Sequence, residues 1–568
     1  MLRRLLPLAL AAILPVISGH AAGQTIQARP SLPAVAIGDG ISSFGDLNTD
    51  GRMGGDPDDR VFDRAIDSLP DAGGVIAVGS GTYYFDRWVT VTRDNIRIVM
   101  SDGATIIPRH TGTTGVFRAV GVDSFRVEGG RVLVDTWVDD QIAVEIKQSI
   151  ESGVHSVTFE ATTTDGDNES PARFVYSNDS LSTYVHECRF LPNKAFLCVE
   201  AYGRATGLHV DGNYAGPADR TSFAPAGGSS PTYRMCYGFL LVEGNGWCSV
   251  TDNRLWGLGD PDDDLGFGGD TLAFSMRFKP WFAGGSPYTE SGHSTIADNK
   301  IELVAAPYHL DFWAWSSSMV TGNLIGYNDL QGSEAGHSGI RLTGLTGEDY
   351  HATLGEAGAC VGIQVRGNDL HNLTADSDAA HIYVDHASNC DIDGNTITVA
   401  SNNGKGIHVA GHVYDVSVSN NRVRAPAGNT SAAITLAATV ASKIVARDNY
   451  QRGFATLLSD SMTLSAGAYR DVDGYGPRYA TISSNESIGY AQDSLILSTT
   501  TASLKATLAA AANFPPGYVL PIYNDSATEA ISVRNPSDVE LVSLAAGAAT
   551  RVIRSVASDG TTPKWYLE

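Results

Sequence analysis

Charged and aromatic side chains recur in short β-type segments between residues 238 and 411. In YHLDFWA (308–314) and HIYVDH (381–386), apolar and polar residues alternate. Successive side chains of a strand point to opposite faces, so Leu310, Phe312, Ile382 and Val384 are expected to point inward. The outward set, with equivalent positions of neighbouring segments, is then Glu243, Arg277, Lys279, His309, Asp311, Trp313, Arg341, His381, Tyr383, Asp385 and His408, and Trp315 is also expected to be exposed.

The carboxylates of this set indicate hydrolysis. Inverting glycoside hydrolases use one carboxylic acid to protonate the leaving oxygen and one carboxylate to activate water, about 6.5–9.5 Å apart. Asp311 and Asp385 lie two segments apart, and their side chains could come within this range if the segments stack as neighbouring strands. Glu243 is a third candidate.

The cations and aromatic residues indicate β-elimination instead. A base would remove the proton next to a uronate carboxylate while a cation neutralises that carboxylate. The candidate cations are Arg277, Lys279 and Arg341, and the candidate bases are His309, His381 and Tyr383. Candidate contacts to the rest of the glycan are Glu243, Trp313, Trp315 and His408. Because the cations favour an acidic polysaccharide, we expect β-elimination ahead of hydrolysis.

The same side chains allow an interpretation without catalysis. Glu243, Arg277, Asp311, Arg341 and Asp385 alternate in sign, so stacked copies would form a ladder of ion pairs, each worth under about 1 kcal/mol. The recurrent histidines, the exposed tryptophans and the long insertions around these segments argue against the ladder as the whole explanation. A glycan-binding or adhesin-like protein without turnover is the alternative function.

A repeated asparagine positions these segments. A pattern of an apolar residue, two small or polar residues and Asn recurs, as in VTDNRL (250–255) and IDGNTI (392–397). Spacings of 24–28 residues suit one coil of a parallel β-helix, and spacings of 40–46 suit a coil with a long loop. Stacked Asn side chains can bond to each other, and Asn tolerates the left-handed conformation that a bend needs. The Asn positions are 213, 253, 299, 323, 368, 395, 421 and 449.

The N-terminal region resembles the first module of the pectate-lyase-like, right-handed parallel β-helix superfamily. The matching features are Gly38–Gly40, Asp58–Asp59, a predicted helix at 61–69, Gly73–Gly74 and Gly81–Tyr83. The resemblance implies an all-β fold, with the helix capping the coil stack. It also implies a function among polysaccharide lyases, glycoside hydrolases, uronan epimerases and phage tailspike depolymerases, and fold alone does not choose among them.

Two acidic stretches are candidate calcium sites. Asp46, Asn48 and Asp50 match the start of a calcium loop, although Pro57 stands where the final Glu is usual. Residues 260–270 (DPDDDLGFGGD) could hold calcium beside a uronate. A solvated turn or loop is the alternative at both places, so calcium is the one cofactor that the sequence suggests.

The first 23 residues and the composition indicate where the protein acts in or outside the cell and which partners it disfavours. Arg3 and Arg4, an apolar run from Leu5 to Ile17 and small residues near 21–23 predict a signal peptide, and hence a secreted, extracellular or periplasmic protein. No later segment is apolar enough to cross a bilayer. The net charge of −24 disfavours nucleic acid as a partner. The six cysteines could form three disulfides or remain buried thiols.

The pattern of repeats predicts the domain organisation. Residues 24–455 form the β-helix with its cap, and 456–568 form a linker followed by a small β-sandwich-like module. A short helix is expected within 503–518. Terminal β-modules of this kind resemble those of tailspike-like proteins, which makes a homotrimer a candidate assembly.

Overall fold

The structure is a computed structural model of the 568-residue chain. It describes residues 34–37, 58–109, 115–134, 141–161, 173–192, 195–203, 206–218, 236–244, 246–258, 274–280, 282–283, 286–287, 292–304, 306–326, 338–344, 359–373, 380–400, 403–461, 464–472, 478–481, 486–488, 495–498, 504–508, 510, 519–524, 526, 528–556 and 563–567. The predicted signal peptide and Asp46, Asn48, Asp50 and 260–270 lie outside these residues. No helix in the described part is long and apolar enough to span a membrane.

One amphipathic helix, Asp58–Ser68, packs on the first coils. The Phe62 ring lies 5.0 Å from Phe85 and 5.9 Å from Phe117, between ring centroids. The carboxylates of Asp58 and Asp59 accept hydrogen bonds from strand backbone, including Tyr84 N–H at 2.6 Å. Burial raises the pKa of Asp58 to about 6 against this bond. The predicted N-terminal helix is confirmed.

Apart from this helix, the described strands up to Val472 build a right-handed parallel β-helix whose coils contribute to three sheets. The first sheet contains Val89–Val91, Gly115–Val120, Ile142–Lys147, Arg173–Asn178, Ala195–Tyr202, Cys236–Glu243, Phe274–Lys279, Tyr308–Trp313 and Ser338–Thr343. The second contains Ala34–Ile37, Gly74–Val78, Gly153–His155, Tyr184–His186, His209–Asp211, Ser249–Thr251, Thr295–Ala297, Met319–Thr321 and Gln364–Arg366. The third contains Gly81–Phe85, Thr158–Ala161, Arg189–Leu191, Tyr214–Ala215, Arg254–Trp256, Lys300–Glu302, Leu324–Gly326, Asp369–Leu373 and Thr396–Val399.

Longer strands continue around the corners between sheets. They are Ile96–Pro108, Arg126–Val134, Ala380–Asp393, Lys405–Ser419, Arg422–Leu436, Val440–Arg447, Tyr450–Asp460 and Leu464–Val472. Cys360–Val361 is a short corner strand, and Phe282–Ala283 pairs antiparallel with Ser286–Pro287. The coil strands therefore extend to Val472, beyond residue 455, where the change was expected.

Parallel register aligns equivalent residues of successive coils. In the first sheet Leu240, Met276, Leu310, Ile340, Ile382 and Ile407 pair in order, and all are fully buried. A single coil cannot bury such a face, so stacking supplies the core. The expected inward direction of Leu310, Phe312, Ile382 and Val384 is confirmed by their place in that core.

The repeated Asn forms a buried ladder between the second and third sheets. Each Asn Nδ2 donates to the Oδ1 of the next ladder Asn, from Asn213 to Asn253 at 2.8 Å through Asn421 to Asn449 at 3.0 Å. The expected stacking is confirmed. The expected left-handed conformation belongs instead to the preceding residue, as at Asp252 and Asp298, with φ of 55° and 57°. The side chain of the ladder Asn forms the hydrogen bonds at the bend, and the residue before it adopts the left-handed conformation that turns the chain.

All six cysteines are buried free thiols: Cys188, Cys198, Cys236, Cys248, Cys360 and Cys390. Cys188 stands one coil before the ladder, and its backbone N–H donates to Asn213 Oδ1 at 2.8 Å. Of the two alternatives that the sequence left open, the structure has the buried thiols.

The C-terminal strands form two sheets around a separate core. One sheet contains Arg478–Thr481, Leu495–Ser498, Val519–Asn524, Ala549–Val556 and Pro563–Leu567, and the other contains Glu486–Ile488, Leu504–Leu508, Ile531–Arg534 and Glu540–Leu544. Leu520 and Ile522 of the first sheet share a core cluster with Ala506 and Ile531 of the second. The expected helix is wrong at 504–508, because this segment pairs as a strand with residues 531–534.

Candidate functional site

A single outward column on the first sheet contains five of the predicted site residues. Leu241, Arg277, Asp311, Arg341, Tyr383 and His408 pair directly in this order across six coils. Neighbouring strands of a sheet lie about 4.8 Å apart, so these side chains follow one another along the outer surface. We call this outer surface, from Glu243 to His408, the Asp311 face.

Asp311 is the centre of an ion cluster. Its carboxylate accepts hydrogen bonds from Arg277 Nε at 2.7 Å and from Arg341 Nε and Nη2 at 2.7 and 3.0 Å. The Trp313 indole N–H lies 3.0 Å from both oxygens. The side chain of Asp311 is fully buried, whereas that of Arg341 is 11% exposed. Both carboxylate oxygens are therefore occupied.

Aromatic rings hold the two guanidinium groups. The Arg341 guanidinium lies 3.4 Å from the Tyr308 ring centroid, and that of Arg277 lies 4.2 Å from Phe274 and 4.8 Å from Trp313. Such cation–π contacts strengthen when the cation is desolvated. Phe274 and Tyr308 were not among the predicted residues. Their position could have been noticed in the sequence, because each aromatic residue lies three residues before a predicted site residue, Arg277 or Asp311.

Electrostatics argue against Asp311 as a proton carrier. Burial alone would raise the pKa of Asp311, but the charges and hydrogen bonds of Arg341 and Arg277 lower it below its ordinary value. A carboxylate with a lowered pKa is not a general acid at neutral pH, and one with occupied oxygens is a poor base.

The other predicted carboxylates are also paired. Glu243 Oε2 lies 2.7 Å from Lys279 Nζ, and Asp385 Oδ1 lies 2.5 Å from His386 Nδ1. Asp385 pairs in register with Thr343, in the column beside that of Asp311. Of the ladder that was one alternative from the sequence, the structure has only the Arg277–Asp311–Arg341 part, while Glu243 pairs with Lys279 and Asp385 lies beside His386.

Tyr383 and His408 extend the face beyond Arg341. Their rings meet edge to face with centroids 5.3 Å apart, and both side chains are partly exposed. Burial, together with the charge of Asp385, raises the pKa of Tyr383 to about 12, while Arg341 acts in the opposite direction. The phenol is therefore protonated at neutral pH.

Three residues expected on the surface are buried, and those expectations are wrong. His309, His381 and Trp315 are each 0% exposed. His309 immediately precedes Leu310, and the strand two coils earlier likewise has both Phe239 and Leu240 in the core, so alternation fails near the start of these strands. Burial lowers the pKa of His309 to about 3 and that of His381 to about 4.

Trp315 follows a change of backbone direction. Ala314 has a φ of 45°, which breaks the alternation after Trp313. The Trp315 ring packs 5.7 Å from Phe278 in the main core. Among the described residues, no group of three His, Cys, Asp or Glu side chains is placed to hold a metal ion.

Comparisons with known proteins found similarity in structure alone. No protein-family model and no curated protein matches the chain. The Streptococcus pneumoniae surface adhesin PfbA is 13% identical, with 77% of this chain and 93% of that chain covered and a TM-score of 0.44. The tailspike of E. coli bacteriophage HK620, in complex with a pentasaccharide, is 12% identical over 88% and 78%, with a TM-score of 0.48. Likeness of this degree assigns no ligand to the chain, and membership of the pectate-lyase-like superfamily stays a prediction.

Proposed function

We propose that this protein binds an acidic glycan on the Asp311 face. The observation that supports this proposal is that two guanidinium groups share one carboxylate. Arg277 and Arg341 both bond to Asp311, so the cluster keeps one net positive charge. A uronate carboxylate is a suitable counter-charge, because charge-assisted bonds to guanidinium are strong and directional.

The surroundings of this charge suit a sugar chain. Trp313 and Tyr383 are partly exposed on either side of Arg341, and aromatic rings offer apolar surface to the C–H faces of pyranoses. Arg277 Nη2 is buried and bonds to no described residue. Binding ranks ahead of catalysis because Asp311 is held by two arginines and Glu243 is paired with Lys279.

The test is direct binding to immobilised polygalacturonate, alginate and hyaluronan, with dextran as the neutral control. Arg341→Met removes the net charge, and we expect at least a tenfold loss of affinity, since a hydrogen bond to a charged group contributes about 1.5–3 kcal/mol. The matched control is Arg366→Met, an exposed arginine paired with Asp391 on the second sheet. Equal affinity of Arg341→Met and Arg366→Met, or no preference for acidic glycans, would overturn the proposal.

A folding check accompanies this test. Arg341 also stabilises buried Asp311, so Arg341→Lys, which keeps the charge without the planar fork, serves as a second variant. It should bind more tightly than Arg341→Met. Circular dichroism and the thermal midpoint of each variant separate loss of binding from loss of folding.

β-Elimination at the same face is the second candidate function. It is favoured by the direct pairing of Tyr383 with Arg341. Arg341 would hold the uronate carboxylate, the Tyr383 phenolate would take the adjacent proton, and the leaving oxygen would be released as the double bond forms. With a pKa of about 12, about one molecule in 10⁵ carries the phenolate at pH 7.

The elimination test follows the ultraviolet absorbance of unsaturated products together with new reducing ends. Both signals in the parent chain, and neither in Tyr383→Phe with binding retained, would support elimination. Reducing ends without absorbance would indicate hydrolysis instead. Neither signal on the acidic panel would leave glycan binding without turnover.

Export and assembly belong to the same proposal. Glycan recognition outside the cytoplasm agrees with the signal peptide expected at residues 1–23. A homotrimer remains the proposed assembly, and light scattering after size-exclusion chromatography tests it: the mass of three chains supports it, and that of one chain refutes it.

A further inference from the structure

A second cleft lies on the third sheet, apart from the Asp311 face. It encloses about 550 Å³, within the range of about 300–1,000 Å³ of small-molecule sites. Its lining includes Glu187, Arg189, Tyr214, Arg254, Trp256 and Leu303. The proposed function uses none of these residues.

A basic column contributes Arg189, Tyr214 and Arg254 to this cleft. These residues pair directly across successive coils, and Lys300 is the next residue in register beyond Arg254. Arg254 and Lys300 are exposed, and neither forms an ion pair or side-chain hydrogen bond with another described residue. The carboxylate of Glu187 is instead engaged with His155 Nε2 at 3.2 Å and Ser156 Oγ at 3.3 Å.

Such a column is electrostatically unfavourable when empty. Like charges directly opposite each other on neighbouring strands destabilise a sheet. The chain as a whole carries a net charge of −24, so carboxylates to pair with these cations are abundant in its composition. On the Asp311 face the arginines are paired, whereas Arg254 and Lys300 have no acidic partner among the described residues, which suits capture of an external anion.

Two side chains of the cleft are already held in place. The Tyr214 hydroxyl donates to the Pro217 carbonyl at 2.6 Å, and the Arg189 guanidinium lies 5.6 Å from the Tyr214 ring centroid and donates to the Ala218 carbonyl. Trp256 is partly buried beside them. Fixed aromatic rings next to cations combine apolar contact for a pyranose with charge for its acidic group.

We propose that this cleft is a second binding site, for a pyranose that carries a carboxylate or sulfate group. Arg254 and Lys300 bind the anionic group, and Tyr214 and Trp256 contact the ring. The site stands on its own residues and does not depend on the Asp311 face. A sulfated sugar and a uronate share the recognition chemistry, and the choice of probes separates them.

The test is isothermal titration of the full chain with a galacturonate hexamer, a sulfated dextran oligomer and inorganic sulfate. Arg254→Gln should weaken binding of the preferred oligomer at least tenfold. The matched control is Arg422→Gln, an exposed arginine in the same column that pairs with the uncharged Thr396 and Tyr450. Lys300→Gln is the second cleft variant and should act in the same direction.

The outcomes separate this site from the proposed function. Weaker binding in Arg254→Gln with no effect of Arg341→Met supports the cleft alone, and the reverse result refutes the cleft. Equal affinities of Arg254→Gln and Arg422→Gln also refute it. Binding of inorganic sulfate alone, or tighter binding of a single-stranded DNA oligomer of matched charge, would overturn the sugar assignment.

Discussion

The Arg341 guanidinium spans from its own coil to the Asp311 carboxylate of the neighbouring coil, with Nε and Nη2 at 2.7 and 3.0 Å from its two oxygens. This is a bidentate bond within a buried cluster, unlike the pair of Arg366 with Asp391, in which both side chains are exposed. Removing one partner of a buried ion pair leaves the other charge buried without compensation, and this lowers the stability of the folded state.

Asp311→Asn should therefore destabilise the protein strongly. It would leave Arg277 and Arg341 facing each other with no carboxylate between them, at an expected loss of about 3–5 kcal/mol in the free energy of unfolding. Denaturant unfolding measures this, with Asp391→Asn as the control because its pair with Arg366 is exposed on both sides. The control should cost under about 1 kcal/mol, and equal losses would show that the cluster is no stronger than a surface pair.

Stability should fall on acidification through the buried histidines. The pKa values of His309 and His381 are lowered to about 3 and about 4, whereas the unfolded chain titrates near 6.5. The unfolded state therefore binds more protons between these limits, so stability falls as pH drops below about 6.5, by up to about 1.4 kcal/mol per pH unit for each histidine.

His309→Asn tests this dependence against the parent chain. Asn can keep the bond to Ser275, which lies 3.0 Å from His309 Nδ1. The difference in unfolding free energy between pH 7 and pH 5 should be smaller in the variant. Asp58, with its pKa raised to about 6, contributes stability that is lost as pH rises through that value, but this contribution cancels in the comparison. Parallel pH profiles would contradict the prediction.

The stack of coils could be predicted from the sequence because most coils carry their own copy of the Asn pattern. The Asn of IDGNTI or VTDNRL marks a bend whatever loop follows, so insertions lengthen the spacing without hiding the period. Arg277, Asp311, Arg341, Tyr383 and His408 were aligned correctly, since alternation is reliable in the middle of a strand.

Alternation failed at the ends of strands, where the chain turns. His309 and His381 are each the second residue of a strand, Tyr308–Trp313 and Ala380–Asp393, and Trp315 follows the left-handed Ala314. The sequence also could not decide whether Asp311 is free or paired, because this depends on side chains from the coils on either side. The ion pairs of Glu243 with Lys279 and of Asp311 with Arg277 and Arg341 join neighbouring coils, so they are properties of the stack.

Replacing a buried Asn in the middle of the ladder should strongly lower the free energy of unfolding. Asn323 Oδ1 accepts from the backbone and side chain of Asn299, and Asn323 Nδ2 donates to Ile296 and Asn368. Asn323→Ala removes four buried bonds and should cost about 4 kcal/mol at about 1 kcal/mol each. At the end of the ladder Asn449 makes three such bonds, to Asn421 and Val418. Asn449→Ala should therefore lower the free energy of unfolding by less, as measured by chemical denaturation, and the opposite order would contradict the prediction.

The six thiols should be inert in the folded protein. Burial raises the pKa of Cys188 and Cys248 to about 12 and that of Cys390 to about 11, and it also raises the pKa of Cys198 and Cys360. Since the thiolate is the reactive form, a thiol reagent at pH 8 should label none of the six before unfolding and all six in denaturant. Fewer than six after unfolding would reveal a disulfide, and the pair to examine first is Cys198 and Cys236, whose sulfur atoms lie 3.9 Å apart.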